Sequence, residues 1–171
     1  MLFRSVVART TYWDARHHCS AFILGPDAGI QRSSDDGEPA GTAGAPMLEV
    51  LKGAEVSDVV AVVTRWFGGT LLGAGGLVRA YSDAVRAALD NARIIERHLL
   101  TEVEVRLGHD VAGRFESEAR AQGIIVLHTD YGAEVTFRLG TYEPERLTTQ
   151  VAELTGGGAQ AKTLGTSWVD V

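Results

Sequence analysis

The chain has 171 residues, of which 45% are hydrophobic and 22% charged, a composition typical of folded globular proteins. Its formal net charge of -6 argues against broad affinity for nucleic acids or membranes, because phosphate groups are held by clustered lysine and arginine. Residues 1–97 carry 10 basic and 11 acidic side chains, and residues 98–171 carry 6 and 11, so a polyanion site is expected in the first half. A single cysteine, no secretion signal and no apolar run of about 20 residues predict a cytoplasmic protein that makes no membrane contact.

The first half opens with alternating residues that predict a strand over His17–Leu24. The stretch from residue 25 to 44 is rich in glycine, serine and aspartate and has no apolar period, so it is predicted to be a loop. A short helix is expected over residues 46–53, burying Leu48 and Leu51 with Met47. The β-branched run over residues 59–63 predicts a central strand covered on both faces.

A glycine-rich turn over residues 68–76 is predicted to lead into the most regular helix of the chain. Apolar residues recur there every three or four positions, at Leu77, Tyr81, Val85, Ala88 and Ala92. On the opposite face, Arg79 with Asp83 and Arg86 with Asp90 have the four-residue spacing that favours ion pairs.

The second half alternates in the order strand, helix, strand, strand, helix, strand, which predicts a ferredoxin-like domain. Its elements are a strand over 100–107, a helix over 111–122 capped by Asp110, a hairpin of strands 124–128 and 134–139, a helix from Glu143 and a last strand ending near Trp168. The fold class is therefore α+β, with a first domain over 1–97 and a second over 98–171.

The most acidic loop places three carboxylates within four residues, which gives two chemical interpretations beside a plain solvated turn. Carboxylate oxygens could bind Mg²⁺ or accept protons in acid/base catalysis. Aspartate and glycine are also common turn residues, and spacing alone favours the turn. The candidate cleft residues in this loop are Ser34, Asp35, Asp36, Gly37, Glu38 and Thr42.

The glycine-rich turn is the second candidate site. Glycines ahead of a helix let a ligand approach the backbone, where free N–H groups and the helix dipole favour an anion. Arg65 at the strand end and Arg79 in the expected first helical turn could complete a phosphate or carboxylate clamp. Tight bends also require glycine, so this interpretation and a structural one stand evenly. The predicted anion-binding glycines are Gly68, Gly69, Gly73, Gly75 and Gly76.

Other residues give weaker indications. His17 is a candidate site residue, but strand alternation directs His18 away from His17 and Cys19, leaving too few ligands for zinc. We therefore predict no metal, no cofactor and no catalytic residue. Trp66 and Phe67 could stack on bases, although core packing is the favoured use.

Three long motifs in order resemble the IMPACT/YigZ family: Ser34–Gly44, Arg65–Gly69 and Leu72–Tyr81. The resemblance implies a first domain similar in fold to the second domain of ribosomal protein S-five. It also implies a ferredoxin-like C-terminal domain, related in shape to a domain of elongation factor G. Family members usually begin with a further strand and helix, so the chain is expected to be truncated at its start and to gain stability if that segment is restored.

The resemblance implies regulation linked to translation, with RNA, the ribosome or translation factors as partners. We expect a binding protein that engages nucleic acid or a phosphate-bearing ligand through the cleft of its first domain. The alternative is a Mg²⁺-dependent enzyme that uses Asp35, Asp36 or Glu38 for phosphoryl transfer or hydrolysis.

Overall fold

The computed structural model describes the backbone of residues 2–171 and the side chains from Val6 onward. The chain divides into two compact units, the first ending at Arg93 and the second spanning Ile94–Val171. Within residues 2–171, no helix combines the length and apolar character needed to cross a membrane.

The first unit contains three helices and three strands. In chain order they are α1 (Leu2–Thr11), β1 (His17–Leu24), β2 (Ile30–Ser34), α2 (Gly44–Gly53), β3 (Val59–Arg65) and α3 (Gly73–Asp90). The strands form an antiparallel sheet in the order β2-β1-β3, with Ala21 paired to Ser33 on one side and to Ala61 on the other.

Two strand predictions for this unit were wrong. β2 lies inside the stretch predicted to be a loop, because its sequence has no apolar alternation and its strand geometry comes from pairing with β1. β3 was predicted to be central, but in the described sheet that place belongs to β1, and β3 is only half-buried throughout. A continuous β-branched run indicates partial cover on both faces and does not reveal the order of strands.

One face of β1 forms the core of the first unit together with α2 and α3. Strand alternation points Cys19, Ala21 and Ile23 to the same side, and all three are buried. The helices contribute the other buried side chains: Met47, Leu51, Leu77, Tyr81 and Val85.

Helix α3 begins earlier than its sequence suggested. It starts at Gly73, so Gly75 and Gly76 lie inside its first turns and Arg79 lies in the second turn. The apolar period begins only at Leu77, which is why the pattern placed the start too late. The predicted pairs of Arg79 with Asp83 and of Arg86 with Asp90 are replaced by an Arg86–Asp83 pair at 2.7 Å.

Gly44 lies close against the backbone of β2, and Gly44→Ala is expected to destabilise the protein by about 1–3 kcal/mol. A Cβ on Gly44 would lie 2.7–2.9 Å from backbone atoms of Ser34, so the helix would have to move off the strand. The measurement is urea unfolding. Gly53→Ala in the same helix meets no atom within 4 Å and is the control, expected to be neutral or stabilising. Equal losses in the two variants would contradict this account.

The second unit confirms the ferredoxin-like prediction. Its elements are β4 (Arg97–Leu107), α4 (His109–Ala121), β5 (Ile125–Tyr131), β6 (Val135–Thr141), α5 (Pro144–Thr155) and β7 (Ala161–Asp170). The antiparallel sheet has the order β5-β6-β4-β7, and both helices contribute to its core. Phe115 of α4 packs on Phe137 of β6 with ring centroids 5.2 Å apart.

The helix ends of this unit follow the sequence closely, with one correction. Gly156 has the left-handed φ of 60° and ends α5 as predicted. Asp110 was predicted to cap α4, but the N-cap is Gly108 and Asp110 lies within the first turn. A carboxylate in a first turn still interacts favourably with the helix dipole, so the residue type suited either position.

Candidate functional site

The acidic loop leaves β2 at Ser34 and ends where α2 begins at Gly44. Its turn depends on two left-handed residues, Asp36 with φ 44° and Gly37 with φ 83°. Thr42 closes the loop by donating its hydroxyl proton to the Pro39 carbonyl at 2.7 Å. The loop is therefore a defined backbone structure, and each of its three carboxylates has its own partners.

Asp35 holds the loop against the beginning of α2. Its Oδ1 accepts the backbone N–H groups of Ala43 and Gly44 at 3.1 and 2.8 Å, and its Oδ2 accepts that of Gly41 at 2.9 Å. Burial alone would raise the pKa of Asp35, but the three N–H donors outweigh it and leave the pKa below its usual value. The Asp35 carboxylate therefore fixes the backbone of the loop and of the first residue of α2.

Asp36 ties the loop to β1 and α1. Its Oδ2 accepts the backbone N–H of His18 at 2.6 Å, and its Oδ1 forms an ion pair with Arg9. Burial raises the pKa of Asp36, and the Arg9 guanidinium and the His18 N–H together lower it further than burial raises it. The Asp36 carbonyl lies 2.9 Å from His17 Nδ1, so that ring nitrogen carries the proton.

Glu38 is the buried centre of the site, with a side chain only 3% exposed. Its Oε1 accepts Arg65 Nε at 2.5 Å and the Tyr81 hydroxyl at 2.7 Å, and its Oε2 accepts Arg65 Nη2 at 3.1 Å. His17 Nε2 lies 3.9 Å from Oε2. Burial raises the pKa of Glu38, but Arg65 and Tyr81 stabilise the ionised form and bring the pKa below its ordinary value.

The network continues through Tyr81 to Cys19. The Cys19 thiol lies 2.9 Å from the Asp35 carbonyl and 3.3 Å from the Tyr81 hydroxyl. Burial raises the pKa of Cys19 to about 11, and burial also raises the pKa of Tyr81. Both groups therefore stay protonated near neutral pH, which makes Cys19 a buried structural thiol and Tyr81 a hydrogen-bond donor to Glu38.

All six oxygens of the three carboxylates thus accept hydrogen bonds or ion pairs from the protein itself. No group of three or more histidine, cysteine, aspartate or glutamate side chains within residues 2–171 has the arrangement of a metal site. The internal partners of Asp35, Asp36 and Glu38 account for their presence as loop and core structure.

Arg65 is at the end of β3, as predicted, and its charge is already paired. Its ion pair with Glu38 raises the pKa of the guanidinium. The Glu38 carboxylate takes the edge formed by Nε and Nη2, and Nη1 donates none of the hydrogen bonds of the described residues. The Arg65 side chain is 22% exposed, so part of the guanidinium reaches solvent.

The glycine-rich loop is open to solvent. Residues 66–75 are all exposed, and Gly69 and Gly73 have left-handed φ values of 86° and 68°. Arg79 is exposed and has no hydrogen bond or ion pair with any described residue. The structure therefore does not join Arg79 directly to Arg65 in a clamp.

Two aromatic residues predicted to pack in the core are instead on the surface. Trp66 and Phe67 are each 46% exposed at the beginning of the loop. Trp66 packs edge-on against Tyr12 with ring centroids 5.6 Å apart, and its indole N–H donates to Asp14 at 2.9 Å. We call Tyr12, Trp66 and Phe67 the aromatic surface of the first unit.

Sequence reasoning found Glu38, Arg65 and His17 but missed the residues that connect them. Tyr81 was assigned only to the apolar stripe of α3, although a buried tyrosine usually needs a partner for its hydroxyl. Arg9 lies in a segment without a motif, and its contact with Asp36 spans 27 residues. The signal available in the sequence was the hydroxyl group of Tyr81, which is a polar group within the apolar stripe of α3.

Comparison with known proteins gives the same division of the chain. Residues 3–89 match the Impact N-terminal domain, and residues 105–157 match a domain of unknown function, DUF1949. The chain is 41% identical over 155 residues to IMPACT family member YvyE of Bacillus subtilis, covering 88% of this chain and 70% of the relative. It is 44% identical over 134 residues to IMPACT family member YigZ of Escherichia coli, covering 77% and 65%.

A solved structure agrees with both units. A crystal structure described as that of a hypothetical protein is 34% identical and matches with a TM-score of 0.58, covering 95% of this chain and 81% of the other. Both domain matches, the two relatives and the motifs of the acidic and glycine-rich loops point the same way. The chain therefore belongs to the IMPACT family.

Proposed function

We propose that this chain is a cytoplasmic regulatory protein linked to translation, and that its first unit binds single-stranded nucleic acid. Membership of the IMPACT family fits a translation-linked regulatory role. The partner that we propose is RNA, free or within the ribosome, because RNA is consistent both with a role in translation and with the surface of the first unit. The function is binding, because the loop carboxylates that catalysis would require are engaged inside the protein.

The exposed aromatic surface carries this proposal. Tyr12, Trp66 and Phe67 are each close to half-exposed, and base stacking on aromatic rings contributes about 1–3 kcal/mol per base. Arg79 is exposed on the helix that follows the loop and is free among the described residues to approach a phosphate. Stacking does not depend on a large positive charge, which suits a first half whose charges nearly cancel.

Trp66→Ala is expected to weaken binding of a fluorescein-labelled uridine decamer by about tenfold, through loss of one stacking platform. Fluorescence anisotropy titration measures the affinity. Trp168→Ala is the matched control, because Trp168 is 43% exposed but lies on β7 of the second unit. The Trp168→Ala protein is expected to bind the decamer with an affinity within about twofold of that of the parent protein.

Arg79→Ala and Arg86→Ala separate a phosphate contact from general electrostatics. Both arginines are exposed on α3, but Arg86 is already paired with Asp83. Arg79→Ala should lower affinity and reduce its salt dependence, whereas Arg86→Ala should change neither. No binding by the parent protein, or equal losses in the variants and their controls, overturns the proposal.

A further inference from the structure

We propose that Arg65 recognises a guanine base in the bound strand through the free edge of its guanidinium, while Glu38 holds the adjacent edge in place. The inference rests on the proposed nucleic-acid binding and names the base that the same site selects. It replaces the phosphate clamp suggested by the sequence with a contact to a neutral ligand group.

The geometry leaves one donor pair of Arg65 available. A guanidinium has five N–H donors, and Glu38 accepts one from Nε and one from Nη2. The outer edge, formed by Nη1 and the second N–H of Nη2, presents two parallel donors. Because the inner edge is fixed to a buried carboxylate, the outer edge has a set direction at the partly exposed end of the side chain.

Charge decides which two-acceptor group fits this edge. A phosphate or carboxylate would be attracted by Arg65 but repelled by the ionised Glu38 on the adjacent edge of the same guanidinium. The O6 and N7 atoms of guanine offer two acceptors with the same spacing and no net charge, and arginine is their commonest specific partner. The Arg65–Glu38 pair therefore favours guanine over a second anion.

Sequence neighbours support a base at this position. Trp66 and Phe67 directly follow Arg65 in the sequence, and each is 46% exposed. His17 is paired with Arg65 across β1 and β3 and is held by the Asp36 carbonyl, which keeps it directed inward. The base of an RNA strand and a free guanine nucleotide would present the same edge.

The first experiment uses the unaltered protein and anisotropy titrations with three decamers: all uridine, uridine with guanines at its centre, and the same strand with 7-deazaguanine. Guanine is expected to raise affinity by about tenfold, within the usual range for a bidentate arginine contact. The 7-deaza strand lacks the N7 acceptor and should lose most of that gain. Competition with guanosine monophosphate distinguishes a free nucleotide from a strand as the preferred source.

Two variants test the roles of the ion pair. Arg65→Lys retains a cation for Glu38 but has no second donor edge, so the increase in affinity that guanine gives should fall to about twofold or less. Glu38→Gln keeps an acceptor for Arg65 but removes the charge that repels the strand. The uridine decamer should therefore bind more tightly, and the ratio of the affinities for the guanine-containing and uridine decamers should decrease. Arg86→Lys is the control, because Arg86 is exposed on α3, and thermal melts verify folding of each variant.

The outcomes separate the two proposals. Failure to bind any decamer overturns the proposed function itself. Binding of all three decamers with equal affinity keeps that function and overturns guanine recognition. If the increase in affinity that guanine gives persists with 7-deazaguanine, or in Arg65→Lys, then Arg65 is not the residue that recognises guanine. Guanosine monophosphate that competes as strongly as the guanine decamer identifies a nucleotide site at the same edge.

Discussion

Glu38→Ala is expected to destabilise the first unit by about 3 kcal/mol, the lower end of the range for breaking a buried ion pair. The Glu38 side chain is 3% exposed, and its removal leaves both Arg65 and the Tyr81 hydroxyl without their acceptor. The lower end applies because Arg65 is 22% exposed and can recover part of its hydration.

Urea unfolding followed by tryptophan fluorescence measures this effect. Of the three tryptophans, Trp13 and Trp66 lie in the first unit, so a Trp168→Phe background reports on that unit alone. Glu49→Ala is the control, because the Glu49 side chain is 69% exposed and its pair with Lys52 should contribute less than about 1 kcal/mol. A similar loss in both variants would show that Glu38 is no more than a surface charge.

Replacing both Glu38 and Arg65 tests whether the loss in Glu38→Ala comes from leaving a charge without its partner. Glu38→Leu combined with Arg65→Met removes the two charges together and should be less destabilising than Glu38→Ala alone, because no buried charge remains unpaired. A double variant that is worse than the single one would show that the pair is held for its hydrogen bonds and not for charge balance.

The fold of the second unit could be predicted from the sequence because its apolar periods and turn residues agree with its tertiary structure. Val103, Val105 and Leu107 alternate on β4 and are buried in the structure, and glycine ends both helices near the expected positions. In such a unit local preference and burial give the same answer at each position.

The first unit was harder to predict because two of its features have no local sequence signal. β2 has an exposed, polar sequence and exists through its pairing with Ser20–Leu24, which no local pattern reveals. The start of α3 consists of glycines, and glycine has a weak helix preference, so Gly73–Gly76 were read as turn. These glycines are continuous with the amphipathic part of α3, which runs to Asp90.

The charged residues of the candidate site could be picked out from the sequence, but the contacts between them could not. Spacing identified Asp35, Asp36 and Glu38 as a carboxylate group and Arg65 as a cation at a strand end. Spacing could not show that these opposite charges meet, since the pair joins residues 27 positions apart on different elements. Burial of Glu38 decides the chemistry of the loop, and burial is a property of the packed structure.

The three loop carboxylates also predict how the stability of the first unit depends on pH. The folded-state pKa values of Asp35, Asp36 and Glu38 are all lowered, so their contribution is fully present above the unfolded pKa values of about 4. Stability is then lost as the pH falls from about 5 through the folded-state pKa values. Each group contributes a slope of at most about 1.4 kcal/mol per pH unit, so three together approach about 4.

Asp35→Asn is expected to reduce that acid slope by about one third, because one of the three titrating groups is removed. The measurement is the urea unfolding free energy in the Trp168→Phe background at a series of pH values from 7 to about 3. Asp83→Asn is the control, since the Asp83 side chain is 70% exposed on α3 and should leave the slope unchanged. An acid slope that is the same with and without the Asp35 carboxylate would mean that its three backbone N–H donors do not stabilise the ionised form, and that acid sensitivity arises elsewhere in the chain.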